Sequence, residues 1–184
     1  MTVAAVVLAA GGGTRYAGAT HKLLAPLGDS TVFEHAVKAA LDAGLDATFV
    51  VTGAVELPDV RGATVVRNPR WAEGQATSLL AAIEAAGSAG HDAVVVGLGD
   101  QPFVPAEAWR AVAAATSTPI ATATFDGARR PPVRLASDVW SLLPTSGDEG
   151  ARALMRERPD LVSEVPCPGT PADIDTVEDL HRWS

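Results

Sequence analysis

Short, strand-like apolar runs alternate with alanine-rich stretches along most of this chain, and that alternation constrains the fold more than any other feature. Val3–Leu8, Ala47–Val51, Ala63–Val66, Asp92–Leu98 and Pro119–Thr124 read as strands. Runs without polar alternation are strands buried on both faces, the pattern of a parallel sheet covered by helices. Between them, Thr31–Leu41, Ala76–Ala86 and a segment from Pro105 through Ala115 read as helices. Thr31 and Glu34 have capping-box spacing, and Pro105 suits a first helical turn. The β-α-β order predicts a Rossmann-like three-layer α/β/α sandwich with a mostly parallel sheet. With 184 residues and no linker or repeat, residues 1–184 are expected to form a single domain.

The regularity ends after Thr124. Residues Asp126–Leu135 are rich in Gly, Arg and Pro and are compatible with a hairpin or an irregular loop. A helix at about Asp148–Arg158, a short strand near Leu161–Val165 and a final helix at Thr176–Trp183 complete the expected elements.

Composition narrows the function classes. The net charge of −8 argues against binding a nucleic-acid backbone, which requires a basic face. A lone cysteine, Cys167, cannot form an internal disulfide, so a reducing, cytoplasmic setting is expected. The first apolar run is too short to span a bilayer and has no basic segment before it, so no membrane role is expected.

The chemistry concentrates where the strands end. Leu8-Ala9-Ala10-Gly11-Gly12-Gly13-Thr14-Arg15 follows the first strand, and Lys22 lies seven positions further on. Consecutive glycines let backbone N–H groups approach a ligand, and successive inward N–H groups favour an anion. Arg15 and Lys22 add positive charge at the same mouth. A second motif, Gly99-Asp100-Gln101-Pro102, leaves the fourth strand and places Asp100 where a carboxylate can hold Mg²⁺. A third, Asp173-Ile174-Asp175, puts two carboxylates on one face of extended chain, either of which can supply a second ligand. Together these point to chemistry on a nucleoside triphosphate, with Arg15, Lys22 and Asp100 acting on the reacting phosphates. Such transfer rests on positioning and electrostatics and needs no protein nucleophile. A dinucleotide role fits less well. The third glycine of that fingerprint is replaced by Tyr16, and the second strand ends in Val51-Thr52-Gly53 without an acid.

These motifs, with Asn68-Pro69-x-Trp71-x-x-Gly74-Gln75-x-Thr77-Ser78-Leu79, Gly147-Asp148-x-Gly150-Ala151-Arg152 and Asp173-Ile174-Asp175-Thr176-x-Glu178-Asp179-Leu180, resemble the molybdenum cofactor cytidylyltransferase family. The resemblance runs from residue 3 to about residue 181. It implies transfer of a nucleotidyl group, commonly from CTP, to a phosphate on a pterin-type cofactor, with Mg²⁺ and release of pyrophosphate. It also implies a molybdoenzyme as the partner that receives the product. By this likeness Leu8, Ala9, Ala10, Gly11, Gly12, Gly13 and Thr14 hold base, sugar and phosphates, and Arg15 and Lys22 contact phosphates. Gly74, Gln75 and Ser78 line the nucleotide side, and Asp148 and Arg152 face the acceptor. Asp100 and Asp175 ligate the metal, with Asp173 the alternative.

The chain departs from the family pattern in two places. The run from Arg15 to Lys22 is longer than usual. Arg129-Arg130-Pro131-Pro132-Val133-Arg134-Leu135 replaces an Arg-Gly-x-Pro-Val-Leu-Phe run in the acceptor region. Plainer roles stand beside the functional ones. Asp175 with Glu178 has capping-box spacing, Asp148 is placed to cap a helix, and Arg129, Arg130 and Arg134 suit either a solvated hairpin face or an acceptor-phosphate site. The histidines show no ligand spacing and receive no role.

Overall fold

A computed structural model describes residues 1–184. The apolar runs form the strands of one seven-stranded sheet: β1 (Val3–Ala9), β4 (Ala47–Thr52), β5 (Thr64–Arg67), β6 (Ala93–Leu98), β7 (Ile120–Phe125), β8 (Ala128–Ala136) and β9 (Val162–Pro166). A small separate ribbon, β2 (Pro26–Leu27) with β3 (Ser30–Thr31), precedes the first helix. The helices are α1 (Val32–Asp42), α2 (Gln75–Ser88), α3 (Ala106–Ala114), α4 (Ala151–Glu157) and α5 (Val177–Trp183).

The sheet order is β5-β4-β1-β6-β8-β7-β9. Strands β4, β1 and β6 run parallel, as do β5 with β4 and β9 with β7. Strand β8 is antiparallel to both of its neighbours. The mostly parallel α/β/α architecture expected from the sequence is therefore present.

Period-two side-chain alternation divides β1 between two cores. Ala5, Val7 and Ala9 join the cluster built with Val32, Phe33 and Val37 of α1 and Trp109 and Val112 of α3. Ala4, Val6 and Leu8 join the cluster built with Leu79 and Ile83 of α2 and Leu154 and Met155 of α4. Helix α1 starts where the sequence predicts: Thr31 Oγ1 accepts from Glu34 N at 3.2 Å, and Glu34 Oε2 accepts from Thr31 N at 3.1 Å. At Gly97 of β6 the ring of Trp109 lies so close that an added Cβ would sit 2.4 Å from it. That strand position is bare so that the indole can seat on the sheet.

The ambiguous stretch after Thr124 is a hairpin. Asp126 and Gly127 both take positive φ, 50° and 80°, as a two-residue primed turn requires. Its register shifts between Thr122 and Ala123, where Thr122 pairs with Val133 and Ala123 with Arg130. The bulge falls at Pro131 and Pro132, which have no N–H for the ladder. The helix expected from Asp148 begins later, at Ala151, because Gly147 and Gly150 take positive φ and Gly150 is the N-cap residue.

The chain leaves β1 toward β4 on one side and returns to β6 on the other. The crevice beyond the carboxyl ends of β1 and β6 is thus the topological switch point, where open α/β sheets bind ligands. Gly99 N donates to Leu8 O at 2.9 Å, which joins the two strand ends there.

Candidate active site

The glycine loop is held from several sides. Ala54 N donates to Ala10 O at 3.1 Å, and the Trp71 ring packs against Gly12. Gly13 turns the chain with φ +60°, and Tyr16 N donates to its carbonyl at 3.0 Å. Ala9 and Ala10 are buried, Gly12 and Gly13 half-buried, and Gly11 and Thr14 exposed.

Lys22 opens a 3-10 turn (Lys22–Leu24) anchored by buried Leu23. Its ammonium lies between two carboxylates. Lys22 Nζ donates to Asp100 Oδ2 at 2.7 Å and to Asp175 Oδ1 at 2.8 Å. Arg15 reaches the other oxygen of Asp175 from solvent, at 3.1 Å. Burial alone would lower the Lys22 pKa, but attraction and hydrogen bonds from Asp100 and Asp175 outweigh it and raise the value above that of an ordinary lysine. Three distant stretches of sequence therefore meet at one cation.

Asp175 reaches this point because it is not a cap. Thr176 caps α5, with Asp179 as its capping-box partner: Asp179 N donates to Thr176 Oγ1 at 3.1 Å and Thr176 N to Asp179 Oδ2 at 2.9 Å. The segment is fixed upstream as well, where Ile174 is fully buried and its N–H donates to Asp100 O at 2.9 Å. Asp173 sits on the same side, and its Oδ1 accepts from Gln101 Nε2 at 2.8 Å. Although it keeps a solvent-facing edge, desolvation of its inner side and the neighbouring Asp100 charge push its pKa up.

These groups line one end of a cleft of about 890 Å³. Of the residues expected from sequence, Leu8, Arg15, Lys22, Gln75, Asp100, Arg152 and Asp175 line it, with Asp173. Three do not. Ser78 is buried and its hydroxyl accepts from Asn68 Nδ2 at 2.9 Å, so it faces the interior behind α2. Gly74 has φ +111° and leaves room for the Gly147 carbonyl, which an added Cβ would approach to 2.4 Å. Asp148, exposed beside that contact, neither caps α4 nor enters the lining.

The far wall belongs to the hairpin and α4. Its floor is apolar, with Leu79, Val96, Leu98, Val133 and Met155. Arg129, Arg130, Arg152 and Arg156 stand around it. Arg129 is paired with Glu164 at 2.7 Å, and Arg156 makes a two-pronged contact with Glu149 at 2.8 and 2.7 Å. No carboxylate lies within salt-bridge distance of Arg130 or Arg152. The three-arginine cluster expected from sequence is split, because Arg134 is buried on the opposite face of the sheet. Its guanidinium meets only Thr118 O at 3.5 Å and Met1 Sδ at 3.3 Å.

The residues present fit a divalent cation. No group of three Asp, Glu, His or Cys side chains gathers anywhere. Two carboxylates nevertheless converge on one point, which the Lys22 ammonium occupies as a stand-in, and their oxygens are the hard donors that Mg²⁺ or Mn²⁺ prefers.

Sequence reasoning missed His21. Leu23 N donates to its Nδ1 at 3.2 Å and its Nε2 lies 3.1 Å from Gly11 O. No ligand spacing marks such a residue; the only signal was its place immediately before Lys22.

Comparison with known proteins identifies the family. Residues 5–162 match the model of the MobA-like NTP transferase domain. Nicotine blue oxidoreductase of Paenarthrobacter nicotinovorans is 29% identical over 98% of this chain and 95% of its own. Purine catabolism protein PucB of Bacillus subtilis (strain 168) is 31% identical over 95% of this chain and 92% of its own. Among solved structures, a nucleotidyl transferase from Methanothermobacter thermautotroptrophicus superposes with a TM-score of 0.83 at 27% identity, covering 98% of this chain and 95% of that one. Rv0371c of Mycobacterium tuberculosis H37Rv, in complex with manganese, superposes with a TM-score of 0.79 at 26% identity, covering 100% and 98%. By these likenesses the chain belongs to the MobA-like NTP transferase family and is a nucleotidyltransferase.

Proposed function

We propose that this single domain transfers a nucleoside monophosphate, CMP in preference, from its triphosphate to a phosphorylated molybdopterin-type acceptor in the presence of Mg²⁺. The observation that carries this reading is the convergence of Asp100 and Asp175 on the Lys22 ammonium beside the glycine loop. The donor would lie along that loop, with its phosphates against the loop N–H groups, Arg15 and Lys22. Asp100 and Asp175 would hold Mg²⁺, which supplies charge neutralisation on the triphosphate and on the leaving pyrophosphate. An acceptor phosphate oxygen attacks the α-phosphorus in line. One P–O bond forms, the bond from that phosphorus to the bridging oxygen breaks, and pyrophosphate leaves. Lys22 stabilises negative charge as it develops.

Support for the acceptor class comes from the far wall. An apolar lining beside Arg130 and Arg152, neither of which has a carboxylate within salt-bridge distance, suits a heteroaromatic body carrying phosphate. The product would pass to a molybdoenzyme. The test is pyrophosphate release with CTP, GTP or ATP, each with and without Mg²⁺ and with molybdopterin as acceptor. Mg²⁺-dependent release with CTP is expected. Release only with GTP would replace the base, and release only with another phosphorylated acceptor would replace the substrate. The name of the Paenarthrobacter relative motivates a second reading, a nucleotide-dependent oxidoreductase. Metal-independent binding of NAD(P)H without triphosphate binding would establish it in place of the first.

A further inference from the structure

We propose that His21 is a positioning residue for the donor site: as a neutral imidazole it clasps the glycine loop to the turn that carries Lys22. The proposal rests on the reading of that loop as the donor site. Lys22 is separated from Arg15 by a run in which Ala17, Gly18, Ala19 and Thr20 are all exposed. Such a stretch does not by itself fix where the ammonium stands relative to the loop. His21 makes that link. It is the N-cap of the Lys22–Leu24 turn, and its Nδ1 accepts from Leu23 N at 3.2 Å. With Nδ1 committed as an acceptor, the single proton of the neutral ring resides on Nε2, which faces Gly11 O at 3.1 Å. The ring also packs against the turn of the loop, since a Cβ on Gly13 would sit 2.9 Å from Nε2. His21 does not line the cleft, so it acts through the loop and through Lys22.

Neutrality is built into this arrangement. Burial disfavours the imidazolium most strongly, and the adjacent Lys22 charge adds to that, against opposing hydrogen bonds to Gly11 and Gly12. Lys22 is the charged side chain beside the ring, and Asp100 and Asp175 hold its ammonium on the far side. Protonation at Nδ1 would remove the acceptor for Leu23 N and place two cations side by side.

Four variants of the full chain separate the two bonds: His21→Ala, His21→Leu, His21→Asn and His21→Gln. The readouts are amide hydrogen exchange across residues 8–24 and titration with CTP and GTP in Mg²⁺, with thermal melting to confirm folding. His21→Ala and His21→Leu are expected to expose the Leu23 amide and the Tyr16 amide, which donates to Gly13 O across the loop turn, and to weaken triphosphate binding about tenfold, the effect of two net hydrogen bonds. His21→Asn places an oxygen near the Nδ1 position and should retain protection at Leu23 alone. His21→Gln places a donor near the Nε2 position and should retain it at the loop alone. Wild-type affinity should fall as the pH drops below the ordinary histidine range, and the fall should be absent in His21→Asn. Wild-type exchange and affinity in His21→Leu would overturn the proposal, showing that the ring acts only by filling space. If the wild-type chain binds no triphosphate, the donor reading fails, while the exchange data still decide whether the clasp exists.

Discussion

Replacing Lys22 by Met tests the centre of the site most directly, because Met keeps the apolar stem and deletes only the charge. The Lys22 side chain is 13% exposed, and those of Asp100 and Asp175 are 19% and 23%. At that burial the pair lies between a surface bridge, worth about 0–1 kcal/mol, and a buried one whose breakage costs about 3–5 kcal/mol. A loss of about 2–3 kcal/mol is expected, since Asp100 is left without a counter-charge and Asp175 keeps only the exposed Arg15. In a domain of this size that lowers Tm by about 5–10 °C. The raised Lys22 pKa means the stabilisation is complete below the ordinary lysine value and disappears as pH climbs through the raised one. The difference between wild type and variant should therefore close at strongly alkaline pH. Added Mg²⁺ should restore more stability to the variant than to wild type, because the vacated carboxylates gain a new cation. Pyrophosphate release should still fall by about 10²-fold or more, since no metal replaces the ammonium on the phosphates. Differential scanning calorimetry with and without Mg²⁺ reads the first effects and a coupled assay the last. A variant that melts within about 2 °C of wild type and ignores Mg²⁺ would refute the assignment of these carboxylates to one cation.

Gly97→Ala forces a methyl against the Trp109 ring and should cost about 1–3 kcal/mol by urea denaturation; an unchanged midpoint would mean that the indole moves freely. Asp173→Asn should raise Tm at neutral pH. The raised Asp173 pKa means that the folded state disfavours the carboxylate once pH exceeds the ordinary aspartate value, whereas Asn keeps the acceptor for Gln101. The gain should vanish in acid below that value, and a lower neutral Tm would contradict the argument.

The half of the site built around the glycine loop and Asp100 was largely legible in the chain. Val3–Leu8 is apolar at every position, so a buried strand feeding three glycines admitted few alternatives, and Asp100 followed a second such strand. Asp175 was harder to assign. Its distance to Glu178 satisfies a capping box, and so does the distance from Thr176 to Asp179; only the structure shows that the second pair forms and leaves Asp175 to Lys22. The family resemblance casts Ser78 as a ligand, yet the helix turns its hydroxyl inward to Asn68. The arginines of the hairpin were unresolved because alternation depends on register. The bulge at Pro131-Pro132 sets which face Arg134 takes, and no local pattern announces a bulge. His21 carries neither periodicity nor spacing, since its partners are a carbonyl ten residues earlier and an N–H two residues later.

The antiparallel strand β8 has a consequence for how this scaffold can change. Everything assigned to the donor hangs from β1, β6 and the segment clipped to them at Ile174. The far wall hangs from β8, which joins β6 along a ladder of opposite polarity and returns immediately to β7 through a two-residue turn. The border between the two polarities works as a hinge line in sequence space. A hairpin can lengthen at its tip, shift a bulge or exchange an arginine without altering the register of the parallel half. The parallel half can thereby be combined with a different far wall by editing the residues around one turn.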